Sequence, residues 1–156
     1  IRVGDVRIRA GDRGLRGLED FTEEQRTQVV TDGDGELWYE IAEDAVVLAV
    51  GDNELLRRIL PVCGFSRDLC WLILTTNQEL HAELDVYESG DQIRFRTLPD
   101  GSCFIEVTDG YGERAAACRQ RDLEASVSAF RAAVLTILGP ESWLRAHPDV
   151  KRWIEM

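Results

Sequence analysis

Residues 79–107 read ELHAELDVYESGDQIRFRTLPDGSCFIEV, and the fold follows from this stretch. Leu80, Ala82, Leu84 and Val86 alternate with His81, Glu83, Asp85 and Tyr87. After Glu88-Ser89-Gly90-Asp91, residues Ile93, Phe95 and Thr97 alternate with Arg94 and Arg96. Alternation at a period of two marks a strand with one face in a core and the other in water. A loop at 88–91 sets Leu84 opposite Phe95 and Val86 opposite Ile93. The same register sets Asp85 opposite Arg94 and Glu83 opposite Arg96, so apolar pairs and opposite charges agree. Pro99-Asp100-Gly101 suits a type I turn with a glycine bulge, which puts Phe95 across from Ile105 and Ile93 across from Val107. Asp109-Gly110-Tyr111-Gly112 then turns into a last strand at 113–119. The product is an antiparallel meander with one wet face.

A sheet with one dry face needs a cover, and the residues that follow supply it. Asp122 caps a helix whose apolar stripe is Leu123, Val127, Phe130, Val134, Ile137 and Leu138, ended by Gly139-Pro140. Trp143 with Leu144, then Val150, Trp153 and Ile154 beyond Pro148, predict two further helical turns. Upstream, Val3, Val6 and Ile8 predict an opening strand, followed by a glycine-rich loop at Gly11-Asp12-Arg13-Gly14-Leu15-Arg16-Gly17. Thr22 with Gln25 forms a capping box for a helix over 22–31. Leu37–Ile41 and Ala45–Val50 have the spacing of a hairpin. Asp52 or Asn53 can cap a helix through Leu60, and the apolar run Leu69–Leu74 reads as a buried strand. The expected architecture over 1–156 is a single α+β domain, an antiparallel meander sheet with helices packed mainly on one face.

Of the 156 residues, 44% are hydrophobic and 30% charged, ordinary values for a folded chain. The formal net charge is −11, from 29 acidic and 18 basic residues. That field repels nucleic acid and anionic membrane and attracts basic partners. Lys151 is the single lysine among the basic residues. With so many Gly, Ala, Val and Asp, this is the bias of a GC-rich genome, of which actinobacteria are the common source. The longest apolar runs are too short to span a membrane, and no signal peptide is visible. Cys63, Cys70, Cys103 and Cys118 form no zinc spacing and sit in apolar surroundings, so they read as reduced, buried thiols of a cytoplasmic protein.

No motif names a reaction. His81 reads as a solvated strand residue and His147 as a cap before Pro148. No nucleophile–base motif, metalloprotease motif or phosphate-loop ending is present. Asp32-Gly33-Asp34-Gly35-Glu36 has the opening of a calcium loop, but Leu37 stands where that loop needs glycine, so it reads as a turn. Arginines opposite Glu83 and Asp85 would keep both carboxylates ionised and unsuited to acid catalysis. The expectation is a non-enzyme without cofactor or metal that binds another macromolecule. Its candidate contact residues are Asp12, Arg13, Leu15 and Arg16 on the glycine-framed loop, with Glu40, Glu43 and Asp44 on the first hairpin.

Taken whole, the opening Ile1-Arg2-Val3-Gly4-Asp5 segment, the glycine-rich loop, and the acidic meander closed by the 122–138 helix resemble the single-domain immunity proteins that neutralise bacterial toxins. Within that class the chain, arginine-rich as it is, most resembles those directed at secreted toxins, and the resemblance implies a toxin that hydrolyses NAD. The resemblance implies a protein that is monomeric when free. It further implies a 1:1 cytoplasmic complex with a folded, basic toxin domain, the toxin's active site being occluded. The acidic surface would speed association, and the loop would enter the substrate cleft. An acidic secretion chaperone that wraps an exported effector is the alternative.

Overall fold

The computed structural model describes residues 2–32, 40–86 and 89–156. The first strand, β1 (Val6–Ala10), leads into a short helix α1 (Arg13–Arg16), a 3-10 turn (Gly17–Asp20) and helix α2 (Glu23–Asp32). The capping box forms as its residues predict. Thr22 N donates to Gln25 Oε1 at 2.8 Å and Gln25 N donates to Thr22 Oγ1 at 3.2 Å. Strands β2 (Glu43–Val50) and β3 (Asn53–Pro61) then build a three-stranded antiparallel sheet in the order β1-β2-β3. Its buried rows include Ile8 across from Leu48 and Leu48 across from Leu56.

Two expectations are overturned here. Residues 53–60 are a strand and not a helix, and Leu69–Leu74 lies inside helix α3 (Val62–Glu79) and not in a strand. Leu55, Leu56, Ile59 and Leu60 have the spacing of one helical face, so periodicity alone favours the helix. Pairing with β2 wins, helped by Gly51 at φ +56 in the two-residue connection and by a register shift at Leu48/Ala49. That irregularity lets Leu55 and Leu56 both be buried. In the predicted hairpin of 37–41 with 45–50, Leu37–Tyr39 lie outside the described residues, and β2 instead pairs with β1 and β3.

The meander is present as β4 (His81–Asp85), β5 (Gln92–Thr97), β6 (Ser102–Asp109) and β7 (Gly112–Arg119), in sheet order β4-β5-β6-β7. Phe95 pairs with Ile105 and Ile93 with Val107, as the alternation predicts. Gly101 has φ +83, its N donates to Leu98 O at 2.9 Å, and Leu98 N donates to Ser102 O at 2.8 Å, the type I turn plus bulge. The β4–β5 register departs from expectation by two residues. Leu84 faces Ile93, Ala82 faces Phe95 and Glu83 faces Arg94. A shift of two keeps every side chain on its face, so the pattern could not reveal it.

Helix α4 (Gln120–Leu138) carries Leu123, Val127, Phe130, Val134 and Leu138 into the core, with Ile137 packed at the margin. Arg119 stands at its N-cap position; Asp122, expected as the cap, lies in the first turn, where a carboxylate still suits the helix dipole. Gly139 at φ +73 ends it. A 3-10 turn (Trp143–Ala146) and helix α5 (Pro148–Glu155) follow, and His147 caps α5 by accepting from Asp149 N at 3.0 Å. One apolar cluster runs from Leu48 of the first sheet through Phe95 and Ile105 of the second to Leu123 and Trp153. Each such side chain contributes about 1.5–3 kcal/mol by burial. Phe65 of α3 meets Phe130 of α4 edge-on, with centroids 6.4 Å apart. Between the sheets, Arg58 of β3 forks onto the buried Asp91 before β5, with N–O distances of 2.6 and 3.1 Å.

Candidate interaction surface

Both sequence-predicted groups of contact residues meet where β1 ends and β2 begins. Gly11 N donates to Ala45 O at 3.1 Å, and Gly14 N donates to Asp44 Oδ2 at 3.1 Å. Close approach is what selects the glycines. A Cβ on Gly14 would stand 2.5 Å from the Glu43 carbonyl oxygen, and one on Gly11 would overlap the Asp44 carboxylate. Ala42, beside them, takes the left-handed conformation with φ +59. The glycines therefore bind the segment down, and 13–16 is a turn of helix, not the expected pliant loop.

The seven predicted residues divide by role. Leu15 is 3% exposed and fills the core, so it cannot enter a partner's cleft, and that expectation is corrected. Residues three apart share one face of a helix, so Arg13 and Arg16 face outward together while Leu15 lies on the inner side. Asp44 is half-buried and holds Gly14 N and its own neighbour Ala45 N. Asp12 pairs with Arg16 at 2.7 Å, a surface ion pair of small energetic weight. Arg13, Arg16, Glu40 and Glu43 are exposed and form a charged ridge. The i,i+3 spacing of Gly11 and Gly14 was the one sequence signal for this tight packing.

The open faces of the two sheets differ. On the meander, Arg94 bonds Glu106 at 3.0 Å and Glu113 at 2.8 Å, Arg96 bonds Glu106 at 3.2 Å, and the Arg96 guanidinium lies 5.3 Å over the Phe104 ring. On the other sheet, Arg9, Val47 and Arg57 share one cross-strand row, and Ile59 beside them is 72% exposed. Sequence reasoning did not find this second face, because it had assigned 53–60 to a helix.

Titratable groups follow their surroundings. Burial pushes the Cys63 thiol up to about 12. Cys103 and Cys118 are cross-strand partners; their mutual hydrogen bond holds Cys103 below the usual thiol range and raises Cys118. The Ser102 hydroxyl and N–H lower Asp100, and the Tyr111 N–H with Arg114 lowers Asp109. Burial raises Asp68 against the opposing pull of Arg67. Among the described residues no three His, Cys, Asp or Glu side chains gather as a metal site, and no helix is long and apolar enough to cross a membrane. Of the proposed turn at 32–36, Asp32 is the last residue of helix α2 and residues 33–36 lie outside the described residues. No family model matches the chain, and neither does any curated protein or solved structure.

Proposed function

We propose that this chain is an immunity protein that binds a folded, basic toxin domain in a 1:1 complex and covers its active site, the toxin being a secreted NAD-hydrolysing enzyme. The observation that carries this reading is the ridge at α1, where Arg13, Arg16, Glu40 and Glu43 stand exposed on backbone pinned by Gly11, Gly14 and Asp44. A pinned ridge loses little conformational freedom on binding, the condition for tight occlusion of a cleft. The −11 charge would raise the rate of encounter with a basic enzyme. In this reading the chain performs no chemistry, works in the cytoplasm and needs no cofactor.

Light scattering on the eluting protein, alone and mixed with a folded NAD-hydrolysing toxin domain, tests the proposal. A monomer that becomes a 1:1 complex and stops NAD loss supports it, and the double substitution Arg13→Glu with Arg16→Glu should then restore NAD loss. A stable dimer indifferent to the folded toxin would overturn it. That result would favour an acidic secretion chaperone, a reading supported by the exposed apolar side chains Trp71, Leu74 and Leu80.

A further inference from the structure

A second surface lies away from the ridge, where α3 runs into β4. Its groove, about 540 Å³, is lined by Trp71, Thr75, Gln78, Glu79, His81 and Glu83. Trp71 is 47% exposed and Leu80 is 61% exposed. Helix α3 turns Leu69, Cys70 and Leu72 into the core, which leaves the Trp71 side chain outside. Tryptophan is on average a highly buried residue, so its position over a groove is informative. Leu80 closes α3 in the left-handed conformation, φ +66, where glycine or asparagine is usual. A bulky exposed side chain held in a strained backbone is a pointer to function.

The groove lies at the start of a sheet edge that is open among the described residues, since β4 ends the order β4-β5-β6-β7. Thr97 N donates to Leu80 O and Val86 N donates to Asp91 O, both at 2.8 Å. These bonds set the alternation of the ladder. Residues 80, 82, 84 and 86 turn their backbone groups to β5, and His81, Glu83 and Asp85 turn theirs to the open edge. The two-residue shift in register matters for charge as well. Arg94 stands opposite Glu83 but gives its hydrogen bonds to Glu106, Thr108 and Glu113. Neither Glu79 nor Glu83 has an ion-pair partner among the described residues, and the groove lining holds no arginine or lysine.

We infer that this groove takes an extended, arginine-bearing segment of a partner protein as an added strand on β4. The segment's backbone would bond the outward groups of His81, Glu83 and Asp85. An arginine side chain would lie flat on the Trp71 indole with its guanidinium between Glu79 and Glu83, the arrangement that suits a planar cation better than an ammonium. Charge selects the occupant: two free carboxylates beside an aromatic face favour a cation, and the molecule as a whole carries −11. The inference is independent of the ridge at α1 and of the identity of the toxin.

The test uses the full chain labelled with nitrogen-15 and titrated with a capped hexapeptide alternating valine and arginine. The expected result is a set of amide shifts centred on His81, Glu83 and Asp85 together with the Trp71 indole N–H. Replacing the peptide's arginines with glutamate, or substituting Glu79→Gln and Glu83→Gln together, should weaken binding about tenfold or more. Trp71→Phe should lose less than Trp71→Ala, because a ring face is kept. All these positions are exposed, so the variants should fold, as the unchanged spectrum of the remaining residues will report. Equal binding of the glutamate peptide overturns the inference, as does no binding at millimolar peptide. Concentration-dependent shifts of the same edge amides without peptide would give the edge to a second copy of the chain and also overturn it.

Discussion

The two sheets share one core, yet their open faces are finished in different ways. On the meander, Arg94 and Arg96 are spanned by Glu106 and Glu113, so cation and anion are neighbours within the sheet. On the three-stranded sheet, Arg57 turns to Glu54 at the strand's own start, Arg9 has no ion pair among the described residues, Val47 stands between the two arginines, and exposed Ile59 lies beside Arg57 on the same strand. One face satisfies itself and needs only water. The other leaves Arg9 beside half-buried Val47 and keeps an exposed aliphatic side chain, Ile59, on its open face. At its β4 edge the meander also departs from self-sufficiency, because Arg94 is already occupied and Glu83 is left over. Charge complementarity within a sheet is thus decided strand by strand, and the strand left out, β4, ends the sheet among the described residues.

The comparison can be broken most severely from the inside. Phe95→Ala removes a fully buried ring beneath the meander and should cost about 3–5 kcal/mol, read as a fall in the urea midpoint with unchanged slope. A cost as small as that of a surface substitution would mean that the sheets do not share a tight core. Asp91→Ala comes next. It deprives Arg58 of its carboxylate and cuts a tie between the sheets, so its loss should exceed that of Glu54→Ala beside exposed Arg57. Equal losses would show that the inter-sheet pair is as weak as the surface one.

Gly14→Ala should cost about 1–3 kcal/mol by forcing α1 off β2. In the toxin assay it should weaken inhibition by more than its stability loss accounts for. Unchanged inhibition would remove the ridge from the contact.

Acid should sharpen the picture of the turns. The folded-state pKa values of Asp100 and Asp109 lie below their unfolded ones, so their contribution is full above about pH 4 and is lost as pH falls below that. Asp68 has the opposite sign, because burial raises it: its contribution favours the fold at low pH and fades as pH rises through its raised pKa. Urea midpoints from pH 5 to pH 2 should therefore fall, and Asp100→Asn should flatten the fall. A midpoint that rises over this range would mean that half-buried Asp68 dominates. The smallest effect belongs to Ile59→Ser on the open face, within about 0.5 kcal/mol, because that side chain is almost as exposed as in the unfolded chain. A loss of several times that would mean the face is covered.

Several features were legible in the residues because the information is local. The order β4 to β7 and the pairing of Phe95 with Ile105 follow from period-two alternation and the turn at Pro99-Asp100-Gly101. The stripe from Leu123 to Leu138 follows from helical spacing, and Thr22 with Gln25 marks a helix start by its own chemistry. Of the candidate contact residues, the sequence identified two charged groups but not that they adjoin. Their meeting depends on β1 pairing with β2, across a separation of more than thirty residues.

The sequence by itself determined the α+β class, the meander and the faces of its strands, since each rests on periodicity and turn residues that act over a few positions. Tertiary structure alone decided the rest. It made 53–60 a strand, because pairing with β2 outweighs a helical spacing of Leu55, Leu56, Ile59 and Leu60 that both structures could use. It placed Leu69–Leu74 in α3, because a short apolar run is compatible with a buried strand or a buried helix until its neighbours are known. It turned Leu15 inward against the core and left Glu83 without an arginine. In each case a non-local partner chose between arrangements that the local pattern allows, and no pattern along the chain records that choice.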